Sequence, residues 1–415
     1  MSSKLHCDRH YALNYGKGQF KTYRVLIMTR SIKKEYIIFV LFIFLGICLR
    51  FFVMTLGHNF DFESYCIVGE ISGDLRNVYA ETSRYNYGPV FLVIQGLLYN
   101  VSSFSANWEL TYRVLMVSTL TLTDLGITCI IAKRYDTVKA LIFFLNPVSI
   151  FITGYHNQFD NIAVLFALIS ILFYNEEKSI GKKDVLFIAF LSLSIITKHI
   201  LFIFPLFLLL RKALPIGKKL LYAFVPPILF LLSFIPFALQ SNEALNGIIN
   251  NVFLYKSFNN SPLLSFIYDG IGFPTKYSIV IFGLLMVLTA FLTRKKEIDK
   301  QLLVYLIALV AFSSAIANQY LAIPLAAIII LDTGVLKYIY MAFVTVFLFL
   351  HGDGLGIQAR LIESGGPDFF VDNGNRVVNH GYTVAAWILF IILLYELFFR
   401  EMISRVKARR LREKN

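Results

Sequence analysis

The sequence predicts an all-α polytopic membrane protein, and two observations carry this prediction. The first is composition: of 415 residues, 57% are hydrophobic and only 16% are charged, whereas soluble domains average about 45–50% apolar and about 25% charged residues. The second is that apolar runs approaching ~20 residues, the length that crosses about 30 Å of hydrocarbon, recur along the chain. A soluble globule, a disordered scaffold and a disulfide-stapled secreted domain are therefore excluded.

Twelve apolar segments are predicted to span the membrane. Several are short, which is typical of helices that pack around a polar cavity and do not meet lipid over their whole length. They cover residues 36–56, 112–132, 138–152, 161–174, 185–197, 199–210, 219–239, 277–293, 301–316, 320–332, 336–350 and 382–399. A further apolar segment, 88–103, begins with Gly-Pro, and whether it crosses decides the topology.

The basic residues favour an interfacial position for 88–103. With this segment outside the membrane core, 30 of the 39 Lys and Arg residues lie on one side, which the positive-inside rule makes cytoplasmic. Those basic stretches are 1–35, 133–139, 175–184, 211–219, 294–300, Lys337 and 400–415. We therefore expect about twelve transmembrane helices, both ends in the cytoplasm, and a long first extracytoplasmic loop, 57–111, that contains an interfacial helix. The net charge of +13 then sets topology, and a nucleic-acid partner is excluded.

The chain is predicted to hold one membrane-embedded domain, 36–399, between two basic cytoplasmic tails, 1–35 and 400–415. Residues 1–27 are interpreted either as a spurious extension before a start at Met28 or as a disordered tail. The predicted outer loops are acidic and aromatic, with 13 Asp and Glu residues against eight basic residues. Because long ordered loops tend to carry function, the working side is predicted to be extracytoplasmic.

The first cluster of chemically capable residues lies just after the first span. Asp61 and Glu63 are flanked by aromatic residues, and a carboxylate near low-dielectric surroundings has a raised pKa that suits proton abstraction; the alternative is a solvated loop start. Arg84, before the interfacial helix, either binds phosphate bidentately or snorkels beside the membrane. Arg50 is expected to pair with an outer carboxylate, and Asp124 to serve helix packing.

Two further clusters lie at the outer ends of later spans. His156, Gln158 and Asp160 occupy a short loop and either bind a polyhydroxylated ligand or assist the base, with Asp160 also expected to cap the next helix. Lys198 and His199 stand where two short apolar segments meet. A lysine there faces a cavity or an anion, or else it snorkels to the surface.

These clusters resemble the GT-C class of polyprenyl-phosphate-sugar-dependent glycosyltransferases. The nearest resemblance is to the dolichyl-phosphate-glucose-dependent glucosyltransferases of lipid-linked oligosaccharide assembly. The matching motifs are Asp61-Phe62-Glu63 for Asp-(Phe/Tyr)-Glu, Tyr87-Gly88-Pro89 for a Tyr-Pro-Pro-like run in which Gly replaces Pro, His156-Asn157-Gln158-Phe159-Asp160 for His-x-Gln-x-(Asn/Asp), and the Lys198–Pro205 run for Lys-(His/Gln)-x-x-Leu-x-x-x-Pro with its Leu one place early.

The resemblance implies inverting transfer of a hexose from a polyprenyl-phosphate sugar to a glycan or lipid-linked acceptor. Asp61 would be the catalytic base, and Glu63, His156, Gln158 and Asp160 would bind the acceptor or substrate. Arg84, Lys198 and His199 are the basic residues best placed for the donor phosphate, where charge develops in the transition state. No cofactor is implied and no metal-ligand set is evident, although some enzymes of this class use a divalent metal. The expected location is a bacterial cytoplasmic membrane, with the site facing outside.

Two other functions fit a polytopic chain. A transporter or flippase of lipid-linked sugars would have the same number of spans, but the two halves show no corresponding broken segments of the kind found in inverted repeats. A polysaccharide polymerase would also carry large outer loops, with outer arginines expected in place of the acidic pair after the first span.

Overall fold

The described chain is built from helices alone. This computed structural model describes residues 17–255, 263, 277–400, 402, 403 and 406, with the backbone alone for 17–35. Within these residues there is no β-strand, and the all-helical prediction is confirmed. The outer parts of the predicted tails, 1–16 and 407–415, and most of the predicted loop 240–276 lie outside the described residues.

Within the described ranges, most helices are joined by connections of a few residues. The first half contains α1 (Lys17–Met54), α2 (Phe60–Gly73), α3 (Val78–Glu81), α4 (Pro89–Ser102), α5 (Trp108–Arg134), α6 (Thr137–Phe144), α7 (Pro147–Gly154), α8 (Asp160–Leu172), α9 (Lys182–Thr197) and a 3₁₀ turn, His199–Leu201. The second half contains α10 (Phe204–Leu210), α11 (Ile216–Leu232), α12 (Ile235–Ala238), α13 (Asn242–Gly247), a π-helical turn (Ile248–Phe253), α14 (Ser278–Thr293), α15 (Ile298–Phe312), a 3₁₀ helix (Asn318–Ala322), α16 (Leu325–Leu331), α17 (Val335–Leu350), α18 (Ile357–Glu363), α19 (Asp368–Leu394) and a final π-helical turn (Tyr395–Phe399).

Several helices are long and apolar enough to cross a membrane. In the described part of the chain they are Tyr36–Met54, Trp108–Arg134, Ile216–Ala238 and Asp368–Phe399. Two bent pairs raise the number from four to six if each pair is one span: α6 with α7, bent by 47°, and α9 with the segment His199–Leu210, bent by 119°. The length and apolar character of these helices indicate a membrane protein. The chain is also helical at each of the twelve segments predicted from the sequence.

The breaks between helices follow from local chemistry. Asn146 accepts a hydrogen bond from the backbone N–H of Val148 at 2.9 Å, and Pro147 occupies the first turn of α7. An Asn cap followed by Pro starts a new helix because the cap satisfies an otherwise free N–H and Pro has none to satisfy. The bend after α6 is therefore encoded by Asn146 and Pro147.

The predicted interfacial segment 88–103 forms α4, which packs against α2 and α9. Gly88 caps α4, and a Cβ atom built at this position would collide with the backbone carbonyl of Ile196 in α9. Only glycine allows this approach. The departure from a Tyr-Pro-Pro-like motif at position 88 thus has a steric reason in this chain.

Candidate active site

Asp61 lies in the first turn of α2 and is half-buried. Its carboxylate accepts a hydrogen bond from Asn59 Nδ2 at 3.2 Å and another from Gln158 Nε2. Burial raises the pKa of Asp61; the charge of Lys198 and the two hydrogen bonds act in the opposite direction. The site therefore holds a carboxylate whose basicity is increased by burial and whose position is fixed by two amide donors.

Glu63 does not join Asp61. Residues two apart in a helix point about 200° from each other, and Glu63 is exposed whereas Asp61 is half-buried. The first-loop pair thus separates into one carboxylate directed at the cluster and one directed at solvent.

His156 lies in the segment between α7 and α8 and is completely buried. Its Nδ1 lies 2.9 Å from Asn59 Nδ2. Because the same Asn59 amide group donates to Asp61, it is an NH₂ group, so Nδ1 of His156 is the acceptor and the ring proton lies on Nε2. Burial, with a smaller contribution from His351, lowers the pKa of His156 to about 3. His156 is therefore a neutral imidazole with a defined tautomer.

Gln158 is held in one orientation by Tyr65. The Tyr65 hydroxyl donates to Gln158 Oε1 at 3.0 Å, which leaves the Gln158 amide nitrogen to donate to Asp61. Between His156 and Gln158 the chain takes a left-handed conformation at Asn157, with φ of 55°. Asn157 holds this turn by donating to the backbone carbonyls of Thr153 and Gly154, at 3.0 and 3.2 Å.

Lys198 lies at the sharp bend after α9 and is almost completely buried. Its Nζ lies 2.7 Å from Asp160 Oδ2. The same nitrogen lies 4.7 Å from the ring centroid of Phe159, 4.8 Å from that of Tyr87 and 5.7 Å from that of Tyr320. An ammonium so placed is balanced by one carboxylate and three aromatic faces. Lys198 does not snorkel to the surface.

Asp160 has a different local role from the one expected. It is the first residue of α8, whose N-cap is Phe159, and its side chain pairs with Lys198 and does not cap the helix. The predicted cap is wrong because the chain enters the helix one residue earlier than the polar pattern indicates. A carboxylate in the first turn is still favourable for the helix dipole.

The three residues predicted to meet the donor phosphate do not form one group. His199 follows Lys198 and has an exposed ring that lines a cavity. Arg84 is exposed, and its guanidinium stacks 4.5 Å from the centroid of Phe60, at the start of α2. His199 therefore lines the cavity next to Lys198 in the chain, and Arg84 contacts Phe60, the residue before Asp61.

A cavity of about 460 Å³ adjoins the lysine. Its lining includes the polar side chains of His199, Tyr255, Ser313 and Tyr320. The rest of the lining is mostly apolar and includes Phe202, Phe230, Leu231, Phe253, Phe282 and Leu309. A cavity lined by both polar and apolar side chains suits an amphiphile.

Several buried polar atoms around Asp61 have no hydrogen-bond partner in the described part of the chain. They are one donor, Nε2 of His156, and three acceptors: Asn59 Oδ1, Asn157 Oδ1 and Asp160 Oδ1. Buried polar atoms without partners are rare and call for an explanation. A hydroxyl group both donates and accepts hydrogen bonds, so a polyhydroxylated ligand could satisfy both kinds.

Arg50 and Asp124 form a fully buried ion pair behind this segment, at 2.9 Å. The carboxylate of Asp124 also accepts from Ser149 at 3.1 Å, from Thr153 at 2.8 Å and from Asn161 at 2.6 Å. Thr153 and Asn161 flank the segment that carries His156 and Gln158. The partner of Arg50 is thus Asp124, in the middle of α5, and not a carboxylate of the loops predicted to be outside. Through Thr153 and Asn161, the pair holds both ends of the site segment.

Four participants were missed from the sequence: Asn59, Tyr65, His351 and Asp353. Asn59 lies two residues before Asp61, and this proximity to the motif was the available signal. Asp353 is distant in sequence, yet its charge helps to raise the pKa of Asp61. His351 and Asp353 form a His-x-Asp sequence after a predicted span, which matches no recognisable motif. Only their positions in the structure show that they belong near Asp61.

The described residues contain no group of three or more His, Cys, Asp or Glu side chains that could hold a metal ion. The groups available for chemistry here are the carboxylate of Asp61, the imidazoles of His156 and His351, and the Lys198–Asp160 pair. The amides of Asn59 and Gln158 add hydrogen-bond donors. No family model matches the chain, and neither a curated protein nor a solved structure matches it.

Proposed function

We propose that this protein is a membrane glycosyltransferase that moves a hexose, with inversion, from a polyprenyl-phosphate sugar to an acceptor hydroxyl. One observation carries the proposal: Asp61 is a partly buried carboxylate with a raised pKa, held by Asn59 and Gln158 beside unpartnered polar atoms. A carboxylate placed in this way suits general-base catalysis. The motif resemblance agrees with this assignment.

The reaction needs one proton transfer and one displacement. Asp61 takes the proton from the acceptor hydroxyl as its oxygen forms a bond to the anomeric carbon of the donor. The bond between that carbon and the phosphate oxygen breaks, and the phosphate leaves with the electron pair. Attack from the face opposite the leaving group inverts the anomeric configuration.

The donor is assigned to the cavity beside Lys198. Its apolar lining suits the first isoprene units, and two of its polar lining residues, His199 and Tyr320, lie next to the lysine. Negative charge grows on the leaving phosphate, so nearby positive charge favours the transition state. In the described state Lys198 is paired with Asp160, and donor phosphate would share or replace that partner.

The same proposal includes the membrane arrangement: twelve spans, both ends cytoplasmic, the site on the outer side of a multi-pass protein of a bacterial cytoplasmic membrane. Contacts between loops support it. Arg211 pairs with Glu176 at 2.8 Å and Lys218 with Asp184 at 2.6 Å. All four residues belong to stretches predicted to be cytoplasmic, whereas the Asp61 cluster joins stretches predicted to be outside.

The test is a transfer assay with purified protein in detergent. The donors are labelled polyprenyl-phosphate glucose, mannose and galactose, and the acceptors are extracted membrane lipids and p-nitrophenyl hexosides. Wild type should consume one donor and form a glycoside of inverted configuration. Asp61→Asn should lose about 10²- to 10⁴-fold in rate, the range of general-base catalysis, while Glu63→Gln, a matched neutralisation at an exposed position, should stay within ~3-fold of wild type.

Two results would contradict the proposal. Normal turnover by Asp61→Asn would remove the base. Absence of transfer by wild type across all donor and acceptor pairs would reject the enzyme itself and leave transport of a lipid-linked sugar as the function to examine.

A further inference from the structure

A second imidazole, that of His351, directly follows α17. Its Nδ1 lies 3.3 Å from the backbone nitrogen of Asp353 and 3.4 Å from Asn318 Nδ2. A backbone N–H can only donate, so Nδ1 of His351 accepts and the ring proton lies on Nε2. Burial lowers the pKa of His351, and the charge of Asp353 acts in the opposite direction.

The amide of Asn318 is itself fixed. The Tyr382 hydroxyl donates to Asn318 Oδ1 at 2.7 Å, which leaves the amide nitrogen for His351. Tyr382 comes from α19 and Asn318 starts a 3₁₀ helix, so two separate elements set the tautomer of one histidine. A solvated surface histidine would not need such support.

His351 belongs to the surroundings of the Asp61 cluster. The ring of Phe151 lies 5.3 Å from the ring of His156 and 5.2 Å from that of Phe349, two residues before His351. The electrostatic effects of His351 on His156 and of Asp353 on Asp61 agree with this placement. The end of α17 therefore packs on Phe151 beside His156, and the charged and polar groups that follow it lie near the Asp61 cluster.

This side of the site is separate from the lysine side. In the 3₁₀ helix Asn318–Ala322, Asn318 contacts His351 and Tyr382, whereas Tyr320 contacts Lys198 and lines the amphiphilic cavity. The lysine side of the site thus carries an ammonium, whereas on the other side His156 and His351 carry Nε2–H groups near the carboxylates of Asp61 and Asp353. An ammonium suits a phosphate, and N–H groups near carboxylates suit hydroxyl groups, which accept from the former and donate to the latter.

We propose that His351, positioned by Asn318 and Tyr382, forms with His156 an acceptor subsite that binds hydroxyl oxygens of a polyhydroxylated acceptor through two Nε2–H groups. The inference rests on the proposed transfer reaction and assigns its acceptor side. It makes His351 a binding residue and Tyr382 a positioning residue that acts through Asn318.

The experiment uses full-length protein and the p-nitrophenyl hexoside that wild type glycosylates. His351→Gln places an amide N–H near the position of Nε2, whereas His351→Asn places it near Nδ1. We expect His351→Asn to raise the KM for acceptor about 5- to 10-fold, the effect of one lost hydrogen bond, with the KM for donor unchanged, and His351→Gln to recover most of this loss. His380→Ala, at an exposed histidine of α19, is the control and should change neither constant.

Tyr382→Phe removes only one hydroxyl and serves if the histidine variants fold poorly. It should raise the acceptor KM alone, in the same direction as His351→Asn. An unchanged acceptor KM in both His351→Asn and Tyr382→Phe, or an equal rise for donor and acceptor, would overturn the subsite while leaving the transfer reaction in place. Absence of transfer by wild type would instead overturn the proposed function, and the subsite with it.

Discussion

Replacing Asp124 by Leu should destabilise the protein strongly, because it leaves the Arg50 guanidinium buried without a counter-charge. Both side chains have 0% of their surface exposed. The guanidinium also donates to the carbonyl oxygens of Gly46 and Phe144, at 3.0 and 2.9 Å. These contacts hold it in place, so Arg50 has no route to solvent when Asp124 is removed.

The expected loss follows from this burial. Removing one partner of a buried ion pair costs about 3–5 kcal/mol in the free energy of unfolding, whereas an exposed pair contributes about 0–1 kcal/mol. Replacing both partners by apolar residues is often neutral. The double variant Arg50→Met with Asp124→Leu should therefore recover at least ~2 kcal/mol relative to the sum of the single changes.

The free energy of unfolding is measured by titrating SDS into mixed micelles that contain each of the three variants, with helix content followed by circular dichroism. Lys300→Met is the matched control, since its pair with Glu297 is exposed on both sides. A loss below ~1 kcal/mol for Asp124→Leu, or a double variant no more stable than the singles predict by addition, would refute the idea of a buried clamp.

Two further predictions concern the site and the membrane. The acidic limb of kcat/KM should report protonation of Asp61, so Lys198→Met, which removes a charge that lowers its pKa, should shift the limb to higher pH. Asp353→Asn removes a charge that raises this pKa and should shift the limb to lower pH; shifts in the same direction would contradict the assignment of the base. In a cysteine-free background, a cysteine at Ser83 should react with an impermeant maleimide added outside intact cells, and one at Lys182 only after permeabilisation; labelling of position 182 in intact cells would reverse the topology.

The sequence predicted the helical fold well because lipid leaves few alternatives. Backbone groups in hydrocarbon must be satisfied within the segment, so long apolar runs become helices. The bends were harder to anticipate. The segment 138–152 is divided at Asn146-Pro147 by 47°, since a capped Asn-Pro start is favourable even inside an apolar run.

The candidate site was predicted in part. Asp61, His156 and Gln158 are linked by hydrogen bonds through Asn59 or directly, and all three belong to motifs that stand out in sequence. The pairing of Lys198 with Asp160 was not foreseen, because 38 residues separate them and each had a sufficient local explanation. Long-range pairing of charges depends on packing, which no single motif encodes.

The position of the site has a common physical cause. Asp61 is in the first turn of a helix, His156 lies between two helices, Lys198 stands at a sharp bend, and His351 directly follows a helix. Helix ends leave backbone groups unsatisfied, and in a membrane such ends are tolerated where they are buried in protein or line a wet cavity. Short, broken helices therefore bring their polar ends together on one side. The short apolar segments of this sequence are thus consistent with helix ends that are buried in protein or line a polar cavity.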